Sequence, residues 1–201
     1  MWVSLTRINM IRRKTTKTTK SKTKTNGHVI DGKKYQSKSL YDAHVLLKHA
    51  QHKGIIDSFD LDNGNTSKRS RYTSYKPIID GIKFDSLMEG QYYVYLKERL
   101  LKKEITNLTL QPSYTLQEAF TKNGKRFRPI IYIADFKYKD KEGNWIIVDV
   151  KGKETVEFKL KQKLFEFKFP ELALSVIQEY EGQWLTLPEI RKIKRDKKKN
   201  K

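Results

Sequence analysis

Cysteine is absent from all 201 residues. That removes disulfides, thiolate-bound zinc and thiol nucleophiles together. A metal must then rest on oxygen ligands or on His28, His44, His49 and His52, which crowd near the N-terminus without a zinc-site spacing. Long apolar runs are missing too: no stretch approaches the roughly 20 apolar residues of a membrane span. The opening from Met1 to Arg7 is too short and too soon charged for a secretory signal. Acid is absent from residues 1–25, which hold eight Lys or Arg, and nearly absent from residues 191–201, with eight against one.

What is present suffices for one ordinary domain, or for one domain with an appendage. Hydrophobic residues make up 37% of the chain, enough to build a core. Of the net charge of +20, the two ends carry +15, so the body between them is only mildly basic. The ends read as arms, disordered over 1–26 and a basic tail over 191–201, that grip a polyanion by releasing its counterions. Nucleic acid fits better than a membrane surface, because the arms have little apolar content to insert.

Laid against itself with an offset of 49 residues, the chain repeats: Val29-Ile-Asp-Gly-Lys-Lys-Tyr-Gln-Ser37 matches Ile78-Ile-Asp-Gly-Ile-Lys-Phe-Asp-Ser86. Each copy reads as strand, Asp-Gly turn, strand, then a helix opened by serine. The first module is expected over 27–61, a polar linker over 62–75 and the main core over 76–190. Within that core the pattern predicts a helix over 86–103 and strands over 108–117, 129–139 and 145–150. A helix over 156–169 stopped by Pro170 follows, then a buried strand over 172–178, and Pro188 marks a further helix start.

The strands 129–139 and 145–150 are joined by Asp140-Lys-Glu-Gly-Asn144, a turn sequence. A hairpin centred near Glu142 places Asp135 opposite Asp149, where Cβ atoms of facing residues lie roughly 4.5–5.5 Å apart. Lys151, two residues beyond Asp149, points to the same face. Both aspartates sit in apolar sequence, Ile130-Ile-Tyr-Ile-Ala-Asp135-Phe and Ile146-Ile-Val-Asp149-Val. Carboxylates in such strands are costly to bury without a partner. A solvated ion pair with Lys151 is one reading; a hard cation between the carboxylates is the other.

Ile133-Ala-Asp135, a hairpin and Asp149-Val-Lys151 together resemble the PD-(D/E)xK nuclease superfamily, which includes type II restriction enzymes, archaeal Holliday junction resolvases and the TnsA transposition endonuclease. With Ile79-Asp-Gly-Ile-Lys-Phe-Asp-Ser86, Leu110-Gln-Pro112 and Val148-Asp-Val-Lys-Gly152 added, the chain is similar to small phage-encoded proteins of that superfamily over about 76–178. Ala134 stands where the superfamily name has proline. The resemblance implies an α/β fold with a restriction-endonuclease-like core: a mixed central sheet flanked by helices, here with the duplicated strand-strand-helix module N-terminal to it.

By the same resemblance Asp135, Asp149 and the carbonyl of Val150 hold Mg2+, with Mn2+ able to substitute, and Lys151 serves the nucleophilic water. Glu89 fits the position of a further ligand. It also closes a capping box with Ser86, and both readings stand. Leu40 occupies its place in the first copy. Lys153, Lys159 and Lys163 are candidates for contacts to DNA phosphate, and Gln111 for lining the site. The function implied is metal-dependent endonucleolytic hydrolysis of DNA phosphodiesters in phage recombination or replication. Branched DNA is among the expected substrates, with a homodimer for junctions, in the host cytoplasm and without an organic cofactor. The alternative is a non-catalytic DNA-binding protein that keeps the nuclease fold.

Overall fold

The computed structural model describes residues 28–61, apart from Asp31 and Gln36, and residues 75–199. The expected arm 1–26 and all of the expected linker except Tyr75 lie outside the described residues. Strands β1 (His28–Ile30) and β2 (Lys33–Tyr35) form a hairpin that leads into α1 (Lys38–His52). After the short β3 (Phe59–Asp60) the pattern returns as β4 (Ile78–Ile79), β5 (Ile82–Lys83) and α2 (Leu87–Leu101). Both helices have 15 residues and open on a serine, whose hydroxyl accepts the N–H of Leu40 in α1 and of Glu89 in α2. The β4–β5 turn has Asp80 and Gly81 both at positive φ, 52° and 75°, as a two-residue primed turn requires. The repeat thus has the same local structure twice.

The two copies are not separate bodies. Leu40, Ala43, Leu47 and Ala50 of α1 share one buried cluster with Tyr92, Tyr93 and Leu96 of α2 and with Phe136, Val148 and Val150 of the central sheet. Leu40, where the second copy has Glu89, is a core residue. The first module therefore buttresses the outer side of α2.

Next come β6 (Thr106–Leu110), β7 (Ser113–Gln117), β8 (Phe120–Lys122), β9 (Lys125–Phe127), β10 (Ile130–Ile133), β11 (Phe136–Lys139) and β12 (Trp145–Val150). The chain ends with α3 (Val156–Lys168), β13 (Ala173–Tyr180), β14 (Gln183–Thr186) and α4 (Leu187–Lys199). A five-stranded sheet runs β14-β13-β12-β11-β6, with β12 and β13 parallel and the other neighbours antiparallel. The crossover between the parallel pair is α3, as such a pair requires. On β12, Val148 and Val150 pack toward α2, while Ile147 belongs to a second cluster with Phe158 and Phe165 of α3. A sheet covered on both faces explains why Ile146-Ile-Val-Asp-Val150 is apolar almost throughout. The molecule is a mixed α/β fold, and among the described residues no helix is long and apolar enough to cross a membrane.

Two expectations need correction. The stretches 108–117 and 129–139 are not single strands. Gln111, at φ 48°, and Pro112 break the first, and Ala134-Asp135 breaks the second. The two breaks face each other: Gln111 N–H donates to the Asp135 carbonyl at 3.0 Å, and Ala134 N–H to the Pro112 carbonyl at 3.1 Å. The paired chains therefore bend together, and β7 and β10 leave the main sheet as a two-stranded sheet of their own.

The C-terminal tail is also not an arm over its described part, because the helix begun at Leu187 runs through the basic residues to Lys199. Buried Ile190 anchors it, Glu189 accepts from the Thr186 N–H at 2.8 Å, and Arg191 and Lys197 pair with Glu154 and Glu181. Lysine and arginine are good helix formers once such anchors overcome nucleation. Between the stretches 108–117 and 129–139 the chain also forms the β8–β9 hairpin, which the expected order of elements does not include.

Candidate active site

The site forms at the shared bend. The β11–β12 register is Phe136↔Val148 through Lys139↔Trp145 and ends one pair short of Asp135 and Asp149. Asp135 N–H still donates to the Val148 carbonyl at 3.1 Å. One residue earlier the strand has turned away toward β7, so no backbone there meets β12. The Asp135 carboxylate fills that place: its Oδ2 accepts the Val150 N–H at 2.7 Å. A strand residue directs its N–H and C=O to the same edge, so the Val150 carbonyl also leaves β12 on the Asp135 side.

Asp149 is 1% exposed, a burial that an aspartate tolerates only with partners. It has two. Tyr132, from the departing strand β10, donates its hydroxyl to Oδ2 at 2.6 Å. Lys151 brings its ammonium to 2.7 Å from Oδ1 and lies 5.7 Å from the centre of the Phe158 ring. The alternation that puts Asp149 and Lys151 on one face is therefore realised, on the α3 side of the sheet. Lys151 N–H continues the parallel ladder to the Ile177 carbonyl, which fixes the strand end that carries the lysine.

Glu89 arrives from the α2 side. It and Gln111 line the same small cleft as Asp135, a cavity of about 60 Å3 whose other walls include Lys83 and Phe84. The Glu89 carboxylate is engaged: Oε1 takes the Ser86 hydroxyl at 2.8 Å and Oε2 the Asp85 N–H at 3.2 Å. The carboxylate thus ties down the helix start through the Asp85 N–H and the Ser86 hydroxyl, and it stands at the edge of the site.

The electrostatics are those of acids crowded around one cation. Burial, then the charge of Asp149, pushes the Asp135 carboxyl up to about 8, against the Val150 N–H and Lys151. Burial is also the main cause that raises Glu89. For Lys151, burial works against the charged form, but the charge and hydrogen bonding of Asp149, with Asp135 and Glu89, outweigh it and raise the pKa. Lys151 is accordingly an ammonium at neutral pH. In that form it can orient or stabilise an anion but has no lone pair with which to deprotonate water. Burial and Asp149 raise the Tyr132 phenol, so it stays a donor.

Among the described residues no three of His, Cys, Asp and Glu form a ready-made metal cage. The donor set nevertheless suits a hard divalent ion. Two carboxylates repel each other at the sheet end, a backbone carbonyl leaves on the same side, and Mg2+ is usually held by one or two carboxylates with waters completing its shell. Lys153, Lys159 and Lys163 are exposed, the first just beyond Lys151 and the other two one turn apart on α3. Sequence reasoning leaves Tyr132 within the apolar run around Asp135 and gives it no role of its own. The signal for that role is its position three residues before Asp135, one alternation from the inward-facing Ala134.

No curated protein and no solved structure matches the chain. A family described as "protein of unknown function (DUF1064)" matches residues 69–181, a span that holds Glu89, Tyr132, Asp135, Asp149 and Lys151 and leaves out β1, β2 and α1. On that match, which covers more than half of its length, the chain belongs to the DUF1064 family.

Proposed function

We propose that this protein is a metal-dependent deoxyribonuclease with a restriction-endonuclease-like core, hydrolysing phosphodiester bonds in DNA. The observation that carries the reading is the Asp135–Asp149–Lys151 constellation. Two mutually repelling carboxylates, one buried and one half-buried, meet where β11 ends beside β12, next to one ammonium. A purely structural role would favour one acid for one lysine. A second, half-buried acid that is pushed toward its protonated form costs stability and gains nothing unless a cation binds.

Asp135, Asp149 and the Val150 carbonyl would hold Mg2+ or Mn2+, with Glu89 at the edge of the same cleft. Bound there, the ion supplies an activated water and countercharge for a phosphate. Lys151 presents its ammonium to the phosphate oxygens and stabilises the charge that develops on them. Tyr132 keeps Asp149 in place. Lys153, Lys159 and Lys163 are exposed and would be free to contact the phosphate backbone, and the basic α4 would add attraction that does not depend on base sequence. Branched DNA in phage recombination or replication, cleaved by a homodimer in the host cytoplasm, is the setting that suits such a backbone-directed site.

Cleavage of supercoiled plasmid and of a four-way junction, with Mg2+ and with chelator, tests the reading. Activity is expected only with the metal, and its loss is expected in Asp149→Asn. Cleavage that persists in Asp149→Asn sinks the site. Tight salt-sensitive DNA binding with no cleavage of any substrate would instead make this a non-catalytic DNA-binding protein.

A further inference from the structure

The β8–β9 hairpin stands apart from both sheets that form the site. Its strands pair only with each other, Phe120↔Phe127 through Lys122↔Lys125, around an Asn123-Gly124 turn with both residues at positive φ. A lone two-stranded ribbon is marginal in water. This one is braced by Phe120 and Phe127, whose rings stack at 4.6 Å with 6° between planes, although both remain about two-fifths exposed. Between Ala119 and Pro129 the hairpin carries Lys122, Lys125, Arg126 and Arg128 and no acid, and all four are exposed. Lys122 and Lys125 share the phenyl face, while Arg126 and Arg128 line a concavity on the other side with Ala119 and Pro129.

We infer that this hairpin is a ribbon that docks in the major groove of duplex DNA beside the candidate active site, with its four cations on the phosphates of the groove walls. The choice of polyanion rests on the reading of the site as a DNA-cleaving one. A basic ribbon with cations on both faces matches a groove with phosphates on both walls, and the B-form major groove, about 12 Å wide, admits a two-stranded ribbon. The A-form major groove of duplex RNA is too deep and narrow for it. Position supports the same partner. Pro129 is six residues from Asp135 along β10, at most about 20 Å at the rise of an extended chain, or about six base pairs of B-DNA. The ribbon would therefore hold duplex within about one helical turn of the scissile phosphate.

The test is equilibrium binding of the full chain, in chelator, to a duplex of about 30 base pairs over a range of salt concentrations. The variant Lys122→Ala/Lys125→Ala/Arg126→Ala/Arg128→Ala should bind at least about tenfold more weakly near 0.1 M salt, with a log–log salt slope shallower by about 3 to 4, roughly 0.9 for each phosphate lost. Affinity for duplex RNA of the same sequence should not change. Lys122→Arg/Lys125→Arg should bind DNA as the parent does. If the fourfold variant does not fold, Lys122→Glu/Lys125→Glu, at the solvent-exposed tip, should still reduce DNA binding and salt slope. An unchanged slope in folded variants, or an equal loss on duplex RNA, overturns the inference. Because binding needs no chemistry, a protein that never cleaves DNA but loses slope in these variants would refute the enzyme reading and leave the ribbon standing.

Discussion

The Tyr132 hydroxyl donates to Asp149 Oδ2 at 2.6 Å, and the bond joins two sheets, because Tyr132 belongs to β10 and Asp149 to β12. It forms only because the chain bends between Tyr132 and Phe136. Tyr132 also packs on Phe165 of α3 with ring centres 5.6 Å apart, so its position is set by the core rather than by the site.

Tyr132→Phe keeps that packing and removes the donor, leaving a buried carboxylate oxygen unsatisfied. Urea unfolding should show a loss of about 1–3 kcal/mol, as for other buried acceptors stripped of a partner. A neutral result would mean that the hydroxyl does not hold Asp149. Cleavage should fall as well, because Asp149 gains freedom at the position where the cation would bind.

The register is legible in the sequence, since apolar alternation and the turn Asp140–Asn144 fix which residues face which. Alternation alone therefore pairs Asp149 with Lys151. The bend is not legible in the same way. Positive φ at Gln111 is a departure that a glutamine rarely adopts, and Ile130-Ile-Tyr-Ile-Ala-Asp-Phe136 shows no glycine or proline to announce a break. Isoleucine on the exposed face, at Ile131 and Ile133, also erases the sequence period that would separate Asp135 from its neighbours. The β8–β9 hairpin, in contrast, has an Asn-Gly turn flanked by phenylalanines, which is among the strongest short-range hairpin signals. The helical course of the basic tail depends on Glu154 and Glu181, partners distant in sequence that no local pattern reveals.

Glu89 has two tasks that substitution separates. Glu89→Gln keeps one oxygen for the Asp85 N–H and turns its amide NH2 to the Ser86 hydroxyl, which can accept as well as donate, so stability should change by less than about 0.5 kcal/mol. Glu89→Ala removes the cap and should cost about 0.5–2 kcal/mol. If the charge at the cleft edge contributes to catalysis, both variants lose activity, and the Gln variant does so while fully folded. Full activity of Glu89→Gln would make this residue a helix cap only.

Lys151→Met retains an unbranched side chain and deletes the charge beside Phe158. Cleavage should drop by about 100-fold or more, the usual cost of losing one preorganised group that stabilises transition-state charge. DNA binding in chelator should change far less, because many other cations share that task. Equal losses in binding and cleavage would make Lys151 a docking residue instead.

Gly90 tests whether α2 must lie close to the β4–β5 hairpin. A Cβ there would stand 2.8 Å from Pro77 Cγ and 3.0 Å from Ile79 Cδ1, closer than side chains approach. Gly90→Ala should destabilise by about 1–3 kcal/mol despite the better helix propensity of alanine. The displaced helix start carries Glu89, so activity should fall in parallel. A stabilised, fully active variant would show that the contact is loose.

The raised pKa of Asp135 gives a pH dependence whose sign is opposite to that of an ordinary paired carboxylate. Its folded value, about 8, exceeds the unfolded 3.8, so the folded state holds the proton more tightly. The stability this group contributes is fully present below about pH 4 and is lost as pH rises toward 8. Asp135→Asn keeps an acceptor for the Val150 N–H and cannot ionise. The stability of the variant relative to the parent, measured by urea unfolding without metal, should therefore increase from pH 5 to about pH 8.5. A divalent cation reverses the balance, because it binds the ionised carboxylate and displaces the proton. Mg2+ or Mn2+ should raise the melting temperature of the parent more near pH 8 than near pH 6, and should release protons on binding near neutral pH. The Asn variant should show neither effect. Equal stabilisation of both proteins by the metal would place the cation somewhere other than at Asp135.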